Sequence, residues 1–261
     1  RAVEGFGGDC IASALAADGR WILSRSFKYH RPRGVLTMAG QDANTLVQLP
    51  DEPNVRADLR PIADGMDVTA QNVNGSAERD RGAVLDRLSR FMPVGFYYRS
   101  FFRPGSKSWL KYWEPLIRHS AGLGKVDLAA DHGDYVRENL HTDVMVVGAG
   151  PAGLSAAITA AEAGAQVLLV DLNPELGGAL TYARFGLDRS EAEAILADLR
   201  EKAKANANIR LMTDATCNGW FADNWLPVLQ GNKLFRVRAG QVVVAAGSHE
   251  QPLVFRNNDL P

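Results

Sequence analysis

The sequence predicts an α/β fold. Its second half reads as a doubly wound dinucleotide-binding domain with a β-meander insertion, preceded by a smaller α+β unit. Three observations carry this. A glycine turn, Gly148-Ala149-Gly150-Pro151-Ala152-Gly153, separates an apolar strand from an Ala-rich helix. An acid, Asp171, closes a second apolar strand 18 residues beyond Gly153. A late apolar strand, Gln241–Ala245, runs into Gly247 after a stretch of alternating polar and apolar residues.

The turn has a physical logic. Asp143–Val147 is a short apolar run of the kind a buried parallel strand makes. Gly148 permits the sharp turn out of it. Gly150 has no Cβ, so a pyrophosphate can approach the backbone, and Gly153 lets the helix pack close to the strand. The helix over Leu154–Glu162 offers its N-terminal N–H groups to phosphates and stops at Gly164. Gln166–Val170 is the next strand. Asp171 then stands where a carboxylate accepts hydrogen bonds from an adenosine ribose and repels a 2′-phosphate. A lone GxGxxG is weak evidence; one that follows a strand, opens a helix and has the distal acid is specific.

Bulk properties bound the rest. The chain has 261 residues, is 46% hydrophobic and 23% charged, and has a net charge of −1. That is ordinary for a globular protein and gives no global field to attract nucleic acid or an anionic membrane. No apolar run approaches the roughly 20 residues of a membrane helix. Two cysteines, Cys10 and Cys217, form no metal spacing or disulfide framework, which fits a reducing cytoplasm. The start at Arg1 without a Met, and the stop at Pro261 directly after a strand, suggest a piece of a longer polypeptide.

Taken in order, Asp9 is the expected N-cap of a helix over Ala12–Ala17. Arg25-Ser26-Phe27-Lys28-Tyr29-His30-Arg31-Pro32-Arg33 reads either as an anion site or as a solvated loop whose aromatics pack locally. Thr45–Leu49, Val55–Pro61 and Asp67–Gln71 are expected strands, and Asn72–Arg81 a surface linker. Ala83–Phe91 and Glu114–Gly122 are expected helices around an aromatic run, Met92–Pro104. That run, with Trp109, Tyr112 and Trp113, suits an interdomain core or a subunit contact. Asp127–Leu140 is polar. Leu176-Gly177-Gly178 is a further turn where backbone passes near a ligand. Ser190–Lys204 is an amphipathic helix with a Ser190–Glu193 capping box. Ile209–Met212 is a strand. Thr216–Val237 reads as a small antiparallel meander with Trp220 and Trp225 in its core.

The order GxGxxG, Asp, Gly-Gly, then Val-Val-Val-Ala-Ala-Gly is more specific than any one part. It implies an FAD/NAD domain of the glutathione-reductase type. The predicted organisation is residues 1–80, 81–140 as a connecting helical and aromatic region, and 141–261 as the dinucleotide domain, incomplete at its C-terminus.

RSFKYHRPRG (25–34), MPVGFYYRSFF (92–102), WEPLIRHSAGLG (113–124), GAGPAGLSAA (148–157) and AAGSHEQPLVFRNNDLP (245–261) together resemble the α subunits of heterotetrameric sarcosine oxidases. The resemblance covers essentially the whole chain. It implies a ferredoxin-like β-grasp domain over residues 1–80. Relatives with a [2Fe–2S] cluster supply four cysteines there; this chain has only Cys10, so no iron–sulfur cluster is expected. It implies NAD at the glycine turn, with FAD as the alternative at the same site, and FMN at the interface with a partner β subunit. Smaller subunits complete the hetero-oligomer, and tetrahydrofolate is served by a region outside these residues. Nucleic acid and membrane are not expected partners.

The expected cofactor-binding residues are Gly148, Ala149, Gly150, Pro151, Ala152, Gly153, Asp171, Leu172, Asn173, Gly177, Gly178 and Gly247. No catalytic residue and no metal ligand is assigned. The implied activity is flavin-dependent oxidative demethylation of sarcosine to glycine, with hydrogen peroxide and a one-carbon unit as co-products. A dehydrogenase subunit for N-methylglutamate, proline or hydroxyproline, holding FAD, is the alternative. A non-catalytic, cofactor-stabilised assembly module is the third reading.

Overall fold

A computed structural model describes residues 1–36, 43–92, 108–130, 133–182, 186, 188–248, 253 and 255. The aromatic run at 93–104 and most of the segment after Ser248 lie outside the described residues. The chain forms two compact units, within Arg1–Ala130 and within Asp131–Ser248.

In the first unit, α1 (Ile11–Ala17) is capped one residue later than expected. The Cys10 thiol accepts the Ser13 N–H at 3.4 Å and the Ser13 hydroxyl accepts the Cys10 N–H at 3.0 Å. Asp9 instead accepts a hydrogen bond from the Ser13 hydroxyl and closes the turn before the helix by accepting from the Phe6 N–H. A short antiparallel hairpin follows, β1 (Ser24–Arg25) with β2 (Pro32–Arg33). Then β3 (Leu46–Gln48), β4 (Val55–Arg56) and β5 (Thr69–Ala70) make an antiparallel sheet in the order β4-β3-β5. Ile11, Ala12, Leu23, Val47, Leu49, Val55 and Ala57 form its core. The expected strands are therefore present but shorter. A small core of this kind supports only short segments, and polar turns take the remainder. α2 (Val84–Arg87) and α3 (Glu114–Ala121) complete the unit, α3 ending on left-handed Gly122.

The second unit is a mixed α/β layer. Its elements are β6 (Val136–Val147), α4 (Pro151–Glu162), β7 (Val167–Val170), α5 (Arg189–Ala205), β8 (Ile209–Met212), β9 (Ala215–Cys217), β10 (Trp225–Gln230) and β11 (Lys233–Val244). One six-stranded sheet runs β8-β7-β6-β11-β10-β9. The first four strands are parallel; β10 and β9 pair antiparallel. β6 starts seven residues before the expected Asp143 because β11 pairs with it from Val136 onward. Its first half is polar and largely exposed, so it carries no buried-strand signature.

Alternation sorts the sheet's two faces. Val146, Val167 and Leu169 meet Leu154, Ala157, Ile158 and Ala161 of α4. Met145, Leu168 and Val170 face Met212, Leu226, Val228, Phe235 and Val237. Each fully buried Leu, Ile or Val contributes about 1.5–3 kcal/mol over its exposed state. The sheet curls on this second face: Arg210 of β8 lies over the Phe235 ring of β11 at 5.8 Å, and the Gln230 amide reaches the Thr213 carbonyl at 2.7 Å. Leu226 and Val228 fill the meander's core in place of the expected tryptophans, because the pleat points them inward. Trp220 is 57% exposed. α5 is capped by Asp188, with Glu191 completing the box, two residues ahead of the expected pair. The Ser190 hydroxyl, and after it the Glu191 N–H, hold the Asp188 carboxyl below its ordinary value.

Among the described residues no helix is long and apolar enough to cross a membrane.

Candidate functional site

The site is built at the carboxyl end of β6, where ligands of doubly wound sheets bind. The Gly148 N–H donates to the Val170 carbonyl at 2.8 Å, which starts the turn beside β7. Gly148 has φ of +100°, left-handed space that favours glycine. A Cβ there would also collide with the Ala245 carbonyl, which the strand β11 brings alongside. Ala245 itself continues the ladder, donating to the Val147 carbonyl at 2.8 Å. A Cβ on Gly153 would collide with the Gly148 carbonyl. This is the close helix–strand packing that the third glycine permits.

Gly150 differs. Its φ of −70° and ψ of −177° suit any residue. A Cβ built on it would make only an ordinary van der Waals contact, with Gly178 Cα the nearest atom at 3.9 Å. Nothing in the described fold demands glycine here, so the residue leaves a bare stretch of backbone open to approach. Gly150 is the N-cap of α4 and supplies no side-chain cap. Pro151 occupies the first helical position, leaving the N–H groups of Ala152 and Gly153 at the positive end of the helix dipole. This arrangement fits the pyrophosphate of a dinucleotide.

A second turn packs against the first. Gly177 has φ of +123° and Gly178 +49°. The Gly177 N–H donates to the Ala149 carbonyl at 2.7 Å, and a Cβ on Gly178 would lie 2.9 Å from Gly150 Cα. Arg200 of α5 pins this turn by donating to the Leu176 carbonyl and pairing with Glu175 at 3.1 Å. Arg200 carries no signal in the sequence, since it sits in an ordinary amphipathic helix pattern; the Ala245 carbonyl belongs to the Val-Val-Val-Ala-Ala-Gly strand end expected beside the turn.

Asp171 is 8% exposed. One carboxylate oxygen accepts the Ala149 N–H at 2.5 Å and the other accepts the Asn173 N–H at 2.8 Å. Leu172 and Asn173 are exposed beside it. Gly247, with φ of +73°, lies three residues past β11, on the same edge.

The basic stretch of the first unit is not an open anion site. Arg25 is 7% exposed and donates to the carbonyls of Ala77 (2.7 Å), His30 (3.0 Å) and Glu78 (3.1 Å). Lys28 and the Tyr29 hydroxyl both reach the Met92 carbonyl, and Arg31 pairs with Asp86 at 2.7 Å. His30 is buried, with Nδ1 2.6 Å from Asp80 and Nε2 3.2 Å from the Ser120 carbonyl. The Asp80 side chain is fully buried and also accepts the N–H groups of Asn74 and Gly82. The expected surface linker 72–81 is thus the anchor of this segment.

Comparison with known proteins adds to this geometry. Residues 1–73 match the family model of a 2Fe-2S iron-sulfur cluster binding domain, and residues 143–221 that of an FAD dependent oxidoreductase. The chain is 39% identical to the sarcosine oxidase subunit alpha of Rhizobium meliloti (strain 1021), over 100% of this chain and 28% of that protein. It is 31% identical to the sarcosine oxidase subunit alpha of Corynebacterium sp. (strain P-1), over 99% and 24%. The chain thus spans about a quarter of the length of these relatives. Crystalline L-proline dehydrogenase from P. horikoshii shares the fold: TM-score 0.64 at 20% identity, covering 99% of this chain and 41% of that one.

These matches correct the cofactor expectation. NAD at the turn, FMN at a subunit interface and a first unit free of iron–sulfur character give way to an FAD-type region and a domain of the cluster-binding type. The ligand set is a separate matter. Four thiolates hold such a cluster, whereas residues 1–73 contain one cysteine, whose thiol caps α1. These donors do not fit, and no step is derived through a cluster.

Proposed function

We propose that this chain is part of a sarcosine oxidase α-type subunit and that it holds FAD at the turn Gly148–Gly153. One observation carries the reading: an open backbone face at Gly150, at an uncapped helix N-terminus, within the region similar to FAD dependent oxidoreductases. Similarity to sarcosine oxidase α subunits over the whole chain supports the wider assignment.

The residues have distinct roles in this reading. The backbone of Gly148, Ala149, Gly150 and the N–H groups of Ala152 and Gly153 receive the pyrophosphate, and Pro151 presets the helix start. Leu172 and Asn173 border the adenosine ribose, with Asp171 beneath them. Gly177, Gly178 and Gly247 keep neighbouring turns clear of side chains. FAD bound here would supply two-electron redox chemistry, while the oxidation of the amine itself belongs to a catalytic centre in the partner β subunit. The complex would convert sarcosine, water and oxygen to glycine, hydrogen peroxide and a formaldehyde-level carbon, which tetrahydrofolate captures. No side chain of this chain is assigned as acid, base or nucleophile. A partner β subunit and smaller subunits complete the complex, and two free cysteines suit a cytoplasmic setting.

The fold follows the same reading: a β-grasp arrangement in residues 1–80, a connecting region in 81–140 and a glutathione-reductase-like domain in 141–261. The test is extraction of the purified complex and identification of the released cofactor by mass, then anaerobic addition of sarcosine with the flavin absorbance followed. FAD release and bleaching by sarcosine are expected. Absence of FAD, or a flavin that sarcosine leaves oxidised, overturns the proposal.

A further inference from the structure

We propose that the Asn74–Gly75 step is a site of spontaneous covalent modification, where the asparagine converts to aspartate and isoaspartate, and that the isoaspartate loosens the hold of the backbone on the buried Asp80. Both residues of the step are exposed, in the segment 72–81 that anchors the basic hairpin.

The reaction needs a free peptide nitrogen next to a free side-chain amide. The Gly75 nitrogen attacks Cγ of Asn74 and loses its proton, ammonia leaves with Nδ2, and a cyclic imide closes. Water opens the imide at either carbonyl. One opening gives aspartate; the other gives isoaspartate, with an extra methylene in the main chain. No oxidant, metal or cofactor takes part. The groups are placed for it. Gly75 has φ of +125° and no Cβ to crowd the attack. Among the described residues its N–H donates to nothing, and the Asn74 side-chain amide makes no hydrogen bond. Imide closure therefore breaks no hydrogen bond. The backbone on either side is held. The Asn74 N–H donates to Asp80 Oδ1 at 2.8 Å, and the Arg81 N–H donates to the Asn74 carbonyl at 3.0 Å.

The sequence has a second Asn-Gly step, Asn218–Gly219, in a different setting. Gly219 is half-buried, and the Phe221 ring comes within 2.8 Å of where its Cβ would stand. That ring restricts the swing of the Asn218 side chain onto the Gly219 nitrogen. The consequence at Asn74 is specific too. In isoaspartate the main chain runs through Cβ and Cγ, and a carboxylate replaces the carbonyl that accepted the Arg81 N–H. The extra methylene shifts the N–H that served Asp80. Asp80, fully buried and 2.6 Å from His30, then keeps the Gly82 N–H as its remaining backbone donor.

Two measurements on the purified complex test this. Incubation at mildly alkaline pH is followed by peptide mapping, with isoaspartate scored by an isoaspartyl methyltransferase. Asn74 is expected to convert to both acids severalfold faster than Asn218. An Asn74 that stays an amide, or two steps that convert at one rate, overturns the proposal. Hydrogen exchange at the Gly82 amide tests the consequence. In the isoaspartate fraction it is expected to rise about tenfold, the worth of a hydrogen bond to a carboxylate. Asn74→Gln, whose longer side chain does not close the imide, should keep the fresh protein's exchange rate throughout the incubation. Unchanged exchange in the modified fraction, or an equal rise in Asn74→Gln, overturns the link to Asp80.

Discussion

The glycine turn at 148–153 and the basic hairpin at 25–33 are both ordered, but by different physics. In the turn, order comes from what is missing. Gly148 and Gly153 have no Cβ to collide with Ala245 and Gly148, so the β6–α4 junction closes on neighbouring backbone. In the hairpin, order comes from long polar side chains that reach distant carbonyls. Arg25 spans to Ala77 and Glu78, and His30 to Asp80 and Ser120. The first kind of order leaves a vacant surface for a ligand at Gly150. The second consumes its cations internally. Density of positive charge in a sequence is therefore a poor guide to an open anion site, because the cations can be spent on the chain's own carbonyls and carboxylates.

The contrast can be broken by substitution. The largest effect is expected from Gly153→Ala. The new methyl would meet the Gly148 carbonyl, a backbone group that cannot step aside, and about 3 kcal/mol or more of stability should be lost. Chemical denaturation followed by far-UV circular dichroism measures it. A change under about 1 kcal/mol would mean that helix and strand are not packed as described.

His30→Ala comes next. It strips the partner from a fully buried Asp80 side chain, at a cost of about 3–5 kcal/mol. Hydrogen exchange should accelerate across Arg25–Ala83 while the β7 amides stay protected. Uniform protection in both segments would show that the pair carries no stability.

Arg25→Lys is milder. It keeps the charge but loses the fork that serves three carbonyls, and a loss of about 1–3 kcal/mol is expected. Added phosphate should not raise the melting temperature of the wild type by way of this segment. A phosphate-dependent rise that disappears in Arg25→Lys would restore the anion-site reading.

Legibility in the sequence follows the same division. Gly148, Gly153 and Gly177–Gly178 were readable because each answers a constraint within a few ångströms of its own backbone, whereas Gly150 was readable only from its spacing within the turn. The resemblance to sarcosine oxidase α subunits, read from segments such as RSFKYHRPRG, agrees with similarity over the whole chain. The partners of Arg25 and His30 were not readable: all but the His30 carbonyl lie about 50 to 90 residues away, and they are mostly carbonyls, which every residue has. The start of β6 was missed because exposed strand residues carry no apolar pattern. The caps of α1 and α5 were each displaced by one or two residues, since Cys10, Ser13, Asp188 and Ser190 offer near-equivalent local bonds.

The smallest structural effect should accompany the largest functional one. Gly150→Val adds a Cβ that meets nothing closer than Gly178 Cα, at 3.9 Å, and adopts an ordinary φ. Equilibrium titration of FAD into the cofactor-depleted wild type and this variant, alongside their thermal melts, tests the central claim. The account predicts one FAD per wild-type chain, none bound by the variant, and melting temperatures of the cofactor-free proteins that coincide. A variant that binds FAD as the wild type does would contradict it.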